Sequence, residues 1–397
     1  MRDNTGSVFF ELLKAGLWGE ADANLNVNHN LFECVDWEKI YQLAQEQSVL
    51  GLVLAGLEQY KNLNALETSG TSERARAGLD LNIPKVLLLQ WIGEVQIIEK
   101  QNKDMNAFIA ELIEKLRKED IYAILVKGQG IAQCYEEPLW RSSGDVDLLL
   151  SKDNYEKAKA FLLPLGDITE PEEARKKHFA MQIEQWTVEL HGTLHVGLSA
   201  RVDRMLDNVQ YDIFHGGMVR SWVNGQNQVF LPAAAEDVVY VFAHILQHFY
   251  KGGIGLRQIC DWCRLLWTFR ESLNHEYLES KIRETGLMSE WKAFGAFAVR
   301  YLGMPIEAIP LLNANEDLSA NIKKTDKICG FILEVGNFGH NRDNFYFQKH
   351  SYIVQNSISA WRRVKDLCRH ATIFPVNSVR FFFGIMYNGI VSTLRGE

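Results

Sequence analysis

The period of the hydrophobic pattern changes twice along this chain, and these changes limit the possible fold more than any other feature. Up to about residue 118, apolar residues recur at helical spacing, as in Val8-Phe9-x-x-Leu12-Leu13. A β-rich run at 121–126 interrupts this spacing, and the helical period returns after Pro232. The pattern predicts an α+β protein in which a small mixed β-sheet module is flanked by N-terminal and C-terminal helical regions.

The same changes predict the domain boundaries. We expect a helical region at 1–100, an α/β module at 101–232 and a helical C-terminal domain at 233–397.

Within the α/β module, strands are predicted at 121–126, 145–150 and 181–191. Lys127-Gly128-Gln129 closes the first strand as a glycine turn, and a helical segment follows. Asn224-Gly225, between two β-rich runs, is typical of a hairpin.

Composition narrows the class of protein. A formal net charge of −8 argues against a protein that binds long nucleic acid, because such binding needs a broad basic surface. Six cysteines in 397 residues do not form a disulfide framework. The apolar segment at 381–394 is too short to span a bilayer, and the N-terminus lacks the apolar run of a signal peptide. We therefore expect a cytoplasmic protein with no membrane partner.

The segment Gly144-Asp145-Val146-Asp147 carries the clearest chemical signal. Residues two apart in a strand project from the same face, so Asp145 and Asp147 lie side by side. Two neighbouring carboxylates repel each other, and a divalent cation between them removes that cost. A solvated strand edge also produces this spacing, so the pair alone does not define a site.

Two further features add to this signal. The glycine turn at Lys127-Gly128 offers free backbone N–H groups and a positive charge, both of which attract phosphate. A tight turn that needs glycine for its shape is the other explanation. Glu189 stands isolated in an apolar strand, where a buried carboxylate requires a partner or a metal ion.

A glycine turn after a strand, Asp-x-Asp on the next strand and one carboxylate on a later strand resemble the DNA polymerase β-like nucleotidyltransferase superfamily. A narrower set of residues adds to this pattern, namely Leu125 to Gly128, Tyr135, Pro138, Arg141, Gly144 to Leu149 and Glu189 to His191. With this set the chain resembles the bacterial family described as uncharacterised nucleotidyltransferases, and the similarity extends to 237–266.

The resemblance implies transfer of a nucleoside monophosphate from a triphosphate such as ATP to a hydroxyl-bearing small-molecule or protein acceptor. It implies that Mg²⁺, or Mn²⁺ in its place, is held by the catalytic carboxylates of Asp145, Asp147 and Glu189. The implied nucleotide-binding residues are Lys127, Gly128, Gln129, Arg141 and Gly144. The implied residues of the acceptor side are His191, His248, Arg257 and Asp261. The turn departs from the superfamily, which commonly has Gly-Gly or Gly-Ser where this chain has Gly128-Gln129.

Several alternatives stay open at this stage. Arg141 can contact phosphate or act as a structural clamp on the carboxylates, and His191 can contact substrate or hold Glu189 in place. The whole chain can be a catalytically silent nucleotide-binding or scaffold protein on the same fold. Two pairs of residues also have the right types for zinc, namely His244 with His248 and Cys260 with Cys263.

Overall fold

Helices form both ends of the chain and strands form its middle, as the hydrophobic periods predict. The computed structural model describes residues 4–22, 32, 34–68, 81–173, 177–337 and 352–395. The helices are α1 (Thr5–Asp22), α2 (Trp37–Glu46), α3 (Leu50–Thr68), α4 (Lys85–Lys118), α5 (Gly128–Ala132), α6 (Lys152–Leu162), α7 (Ala200–His215), α8 (Ala234–Lys251), α9 (Leu256–Phe269), α10 (His275–Thr285), α11 (Met288–Leu302), α12 (Ala314–Val335), α13 (Tyr352–Ala371) and α14 (Pro375–Arg395). The α+β class predicted from the sequence is confirmed.

Short polar side chains begin several of these helices. Ser151 accepts a hydrogen bond from the backbone N–H of Asn154 at the start of α6, and Ser199 does the same for Val202 at the start of α7. Each cap satisfies an N–H group that has no partner inside its helix.

The main sheet has five strands in the order β1-β2-β5-β4-β3. Strands β2 and β5 are parallel, and the other neighbouring strands are antiparallel. The strands are β1 (Ala123–Val126), β2 (Asp145–Leu150), β3 (Asp167–Glu173), β4 (His178–Ile183) and β5 (Trp186–His191), and β6 (Arg220–Asn224) and β7 (Asn227–Leu231) form a separate hairpin.

Strand β2 shows how alternation positions the site. Val146, Leu148 and Leu150 belong to an apolar core that also contains buried residues of α4 and α6. Asp145 and Asp147 alternate with these residues and so project from the opposite face of the sheet. Burial of the apolar face thereby decides which side carries the carboxylates.

The prediction of one continuous strand at 181–191 is wrong, because the chain forms a tight hairpin there. Strand β4 ends at Ile183, β5 begins at Trp186, and these two residues pair with each other. Glu184 in the two-residue loop has φ 54°, a left-handed conformation that glycine or asparagine normally signals. The predicted Asn-Gly hairpin does form, with Asn224 paired to Asn227 and Gly225 in the loop.

One large apolar core joins the two ends of the chain, since its buried residues run from Val8 on α1 to Phe381 on α14. Helix α4 crosses the predicted boundary at residue 100 without interruption, and the predicted division into three domains stays a prediction. Among the described residues, no helix combines the length and apolar character that crossing a bilayer requires.

Candidate active site

The three predicted carboxylates meet on one face of the sheet. Asp147 on β2 lies beside Glu189 on β5 in the parallel ladder, and Asp145 lies two residues before Asp147. One carboxylate oxygen from each residue lies within 4.8 Å of the other two. Repulsion by Asp147, together with burial, raises the pKa of the Asp145 carboxyl above its usual value. A cluster of oxygen donors at this spacing fits a hard divalent cation such as Mg²⁺ or Mn²⁺.

The turn between β1 and α5 brings a lysine into this cluster. Lys127 and Gly128 have φ values of 57° and 42°, so the chain turns in a region that L-residues rarely adopt. The Lys127 Nζ lies 2.7 Å from Oδ1 of Asp147. Burial favours the neutral amine, but Asp147 and the neighbouring acidic groups outweigh it and raise the pKa of Lys127 well above its usual value.

The histidine predicted next to Glu189 also faces the cluster. Nε2 of His191 lies 2.7 Å from Oδ1 of Asp147 and 3.4 Å from Oε2 of Glu189. Burial favours the neutral imidazole, yet hydrogen bonds to these two carboxylates raise the pKa of His191. Burial likewise opposes the charge on Glu189, but hydrogen bonds from His178 and His191 hold the pKa of its carboxyl far below the usual range.

Helices α8 and α9 form the opposite wall of the cleft. Tyr240, His244 and His248 project from α8 into it, and the Nε2 atoms of the two histidines lie 3.1 Å apart. Burial, followed by the charge of Lys127, lowers the pKa of His248 to about 3. The same two causes lower the pKa of His244 well below its usual value. This wall therefore presents neutral imidazole groups at pH 7.

Arg141 and Asp261 bind each other across the cleft. Arg141 donates from Nε and Nη2 to the two carboxylate oxygens of Asp261, each at 2.7 Å, and both side chains are almost fully buried. Tyr135 donates a further hydrogen bond to Oδ1 of Asp261 at 2.7 Å. Arg141 and Asp261 border the cleft, and this bidentate pair anchors α9 to the segment before β2.

Arg257, near Arg141, has a different environment. Its Nη1 donates to the carbonyl of Ser142 at 2.6 Å, while its buried Nε has no hydrogen-bond partner in the described part of the chain. Burial and the positive charge of Arg141 lower the pKa of Arg257 below its usual value. Asp261 and Asp145 attract this buried charge, and an anionic group in the cleft would stabilise it further.

Two predicted nucleotide-binding residues are placed differently from the others. The side chain of Gln129 points away from the carboxylates and donates to Oδ1 of Asn102 on α4 at 2.7 Å. Gly144 has open space around it, since a Cβ atom added there would meet nothing within 4 Å. Neither residue borders the cleft, whereas Lys127, Gly128 and Arg141 do.

Sequence reasoning did not assign His178 or Tyr240 to the cleft, and it considered His244 as a possible zinc ligand. His178 pairs with His191 across β4 and β5, and its Nε2 lies 3.1 Å from Oε2 of Glu189. Counting back along β4 from the hairpin loop would have placed it there, but the loop contains no glycine or asparagine to reveal it. Tyr240 and His244 lie eight and four residues before His248, so helical spacing along α8 places all three on one face.

The four residues considered for zinc do not come together. Cys260 and Cys263 are fully buried in the large apolar core, whereas His244 and His248 face the cleft. In the ranges that the structure describes, the groups suited to a metal ion are Asp145-Asp147-Glu189 and His178-Glu189-His191.

The cleft has a volume of about 320 Å³, at the lower end of the range for small-molecule sites. Comparison with curated proteins found no match, and neither did comparison with solved structures. The model of one protein family, described as uncharacterised nucleotidyltransferase, matches residues 33–303. That match includes the whole sheet and the α8–α9 wall and covers more than half of the chain, so the protein belongs to the uncharacterised nucleotidyltransferase family.

Proposed function

We propose that this protein is a divalent-metal-dependent nucleotidyltransferase that transfers a nucleoside monophosphate from a triphosphate to a hydroxyl-bearing small-molecule or protein acceptor. The observation that carries the proposal is the convergence of Asp145, Asp147 and Glu189 on one face of the sheet, inside a cleft. Family membership supports nucleotidyl transfer in general.

The oxygen donors of these three residues are the groups that hold Mg²⁺ or Mn²⁺ under this proposal. When bound, such an ion neutralises phosphate charge and stabilises the attacking and leaving oxygens of an in-line displacement. The carboxylates then serve as the fixed acidic wall of the site. Their strands are hydrogen-bonded to each other, which keeps the donors in place before any ligand arrives.

Positive groups near the acidic wall support binding of the triphosphate. Lys127 places its ammonium group beside Asp147, at the edge of the turn where Gly128 leaves the backbone open to the cleft. Arg257 supplies a second positive charge across the cleft, where its Nη1 donates to the carbonyl of Ser142 and its Nε has no hydrogen-bond partner in the described residues. Asp261 holds Arg141 in place, so we propose that Arg141 shapes the pocket and adds a positive electrostatic potential, without contacting the triphosphate directly.

The α8–α9 wall is the proposed acceptor side. The neutral imidazoles of His244 and His248 can accept a hydrogen bond from an acceptor hydroxyl. The protein is acidic overall, with a net charge of −8, which favours a small molecule or a protein side chain over long nucleic acid as the acceptor.

The test incubates the protein with Mg²⁺, cell extract and each nucleoside triphosphate labelled at the α-phosphate. We expect label in an acceptor product, and we expect Asp145→Asn to reduce transfer by about 10²- to 10³-fold, because lost metal coordination costs several kcal/mol in the transition state. Gln226→Ala, in the β6–β7 loop and outside the cleft, is the matched control. Transfer that is equal in Asp145→Asn and the wild type would contradict the assignment of the site.

One observation favours the silent alternative. Lys127, His191 and His178 already contact the acidic oxygens of Asp147 and Glu189, so part of the negative charge is neutralised without an ion. A silent nucleotide-binding protein on this fold predicts triphosphate binding with no transferred label for any triphosphate.

A further inference from the structure

A second group of possible metal ligands lies beside the three carboxylates and uses a different chemistry. His178 and His191 are directly opposite each other on β4 and β5, and their ring centroids are 4.9 Å apart. Glu189 lies between them, with its Oε2 3.1 Å from Nε2 of His178 and 3.4 Å from Nε2 of His191. One nitrogen or oxygen atom from each of the three residues lies within 4.8 Å of the others.

These separations fit the coordination shell of a transition metal. Ligands bound tetrahedrally at 2.0–2.1 Å from an ion are about 3.3 Å apart, and the distances from Oε2 of Glu189 to the two histidine nitrogens, 3.1 and 3.4 Å, lie on either side of this value. Small side-chain movements would bring both imidazoles to one ion. Nε2 of His191 would then bind the ion instead of contacting Asp147.

The donor types distinguish this group from the carboxylate site. Two imidazole nitrogens and one carboxylate suit ions such as Zn²⁺ and Co²⁺, whereas Mg²⁺ prefers oxygen ligands alone. The second nitrogen of His178, Nδ1, lies 3.9 Å from Oε2 of Glu170. A carboxylate near the far nitrogen is the usual arrangement for a histidine that binds a metal.

The cleft leaves room for an ion with an open coordination position. Side chains of His178 and Glu189 retain about a fifth of their exposure, with 21% each, and all three residues border the cleft. A site with three protein ligands and access to solvent is the pattern of a catalytic rather than a purely structural metal site.

We propose that His178, Glu189 and His191 form a second metal position, selective for a borderline transition-metal ion of the Zn²⁺ and Co²⁺ class. It shares Glu189 with the Asp145–Asp147 position. This inference does not depend on nucleotidyl transfer, since an ion can bind the three residues whether or not the cleft catalyses that reaction.

Co²⁺ is the probe, because its visible absorption reports nitrogen ligands and a low coordination number. The full chain, freed of metal, is titrated with Co²⁺ while absorption and bound metal are measured. We expect one equivalent that produces strong visible bands. His178→Ala should remove these bands and weaken this equivalent by at least about 10- to 100-fold, and Glu189→Gln should do the same without changing the size of the side chain.

His195→Ala is the matched control, since His195 is another histidine of the cleft but is hydrogen-bonded to Asp207. It should leave the Co²⁺ spectrum unchanged. Circular dichroism and melting temperature show whether each variant is folded. Wild-type Co²⁺ bands that persist in His178→Ala, or a wild type with no such bands, would overturn the proposal and leave the histidines as hydrogen-bond partners of Glu189.

Asp145→Asn separates this inference from the proposed function. It should retain the Co²⁺ bands while losing the Mg²⁺-dependent binding of triphosphate. Co²⁺ bands in a wild type that transfers no label would support this metal position and contradict the proposed function. Label transfer by a wild type without Co²⁺ bands would support the proposed function and contradict this metal position.

Discussion

At the scale of single residues, the two aspartates of β2 have unlike surroundings although they share a face. Asp147 is 2% exposed and contacts both Lys127 and His191 at 2.7 Å. Asp145 is only partly buried, and repulsion by Asp147 raises the pKa of its carboxyl. The Asp147 carboxylate therefore stabilises the folded state through its partners, whereas the Asp145 carboxylate destabilises it when no cation is present.

This difference predicts opposite effects on stability for two matched substitutions. With EDTA present, Asp145→Asn should leave the melting temperature unchanged or raise it, because it removes a repelled charge. Asp147→Asn should destabilise the protein by up to about 3–5 kcal/mol, because Lys127 loses a buried partner. Thermal unfolding of the two variants beside the wild type measures both effects, and equal destabilisation by the two would contradict the assigned roles.

At the scale of secondary-structure elements, α1 and α3 cross at a pair of glycines. A Cβ atom on Gly16 would lie 1.8 Å from the carbonyl oxygen of Leu52, and one on Gly56 would lie 1.9 Å from that of Leu12. Such distances are far below van der Waals contact. The two helices can approach this closely only because neither position carries a side chain.

We therefore expect Gly56→Ala to force the helices apart and to destabilise the protein by about 1–3 kcal/mol. Gly93→Ala on α4 is the control, since nothing lies within 4 Å of its added Cβ. That control should stabilise the protein by about 0.5–1 kcal/mol, because alanine favours the helix. Urea unfolding compares the two variants, and a neutral Gly56→Ala would mean that the crossing is not close-packed.

A buried carboxyl connects three helices of the C-terminal region. Oε1 of Glu290 on α11 accepts hydrogen bonds from Tyr250 on α8 at 3.0 Å and from Asn377 on α14 at 2.8 Å. Glu290 is fully buried, and its Oε2 has no hydrogen-bond partner in the described residues. Burial raises the pKa of this carboxyl above its usual value.

Because the folded pKa is raised, the folded state binds this proton more tightly than the unfolded state does. Stability from this group is complete below the unfolded pKa of about 4.3 and is lost as pH rises through the folded pKa. Glu290→Gln cannot lose that proton, so its stability relative to the wild type should increase from pH 4 to pH 7. Urea unfolding across this range tests the slope, and exposed Glu307→Gln should show no such trend.

At the scale of the whole molecule, the cleft lies between the sheet and the helices that follow it. Buried Arg264 on α9 links three parts of the chain, since it donates to the carbonyl oxygens of Leu17 on α1 and Cys134 after α5. The large apolar core also includes residues of the N-terminal and C-terminal helices. Side chains of the sheet and of α8 and α9 line the cleft, so a ligand bound there would contact both of its walls.

Ligand binding should consequently stabilise the whole fold against heat. We expect a nucleoside triphosphate to raise the melting temperature only when Mg²⁺ or Mn²⁺ is present, because the ion must screen carboxylates from phosphates. A ligand at 100 times its dissociation constant adds about 2.7 kcal/mol. Equal shifts in melting temperature with EDTA present would mean that the triphosphate binds outside this cleft. Asp145→Asn should show no metal-dependent shift.

Much of the fold could be predicted from the sequence because it depends on local periods. Helical spacing on either side of a β-rich segment predicted the α+β class. Alternation along 145–150 placed Asp145 and Asp147 on one face, and the same rule applied to Glu189 and His191. The hairpin at Glu184 was not predictable in this way, since its left-handed residue is neither glycine nor asparagine.

The sequence by itself determined which residues share a face of a strand or helix, since that depends only on the repeat of each backbone conformation. Only the tertiary structure decided which faces meet. It placed Asp147 beside Glu189 by pairing β2 with β5, brought His178 to Glu189 through the β4–β5 hairpin, and joined Arg141 to Asp261, 120 residues away. These contacts depend on long-range pairing and packing, and no local period in the chain records them.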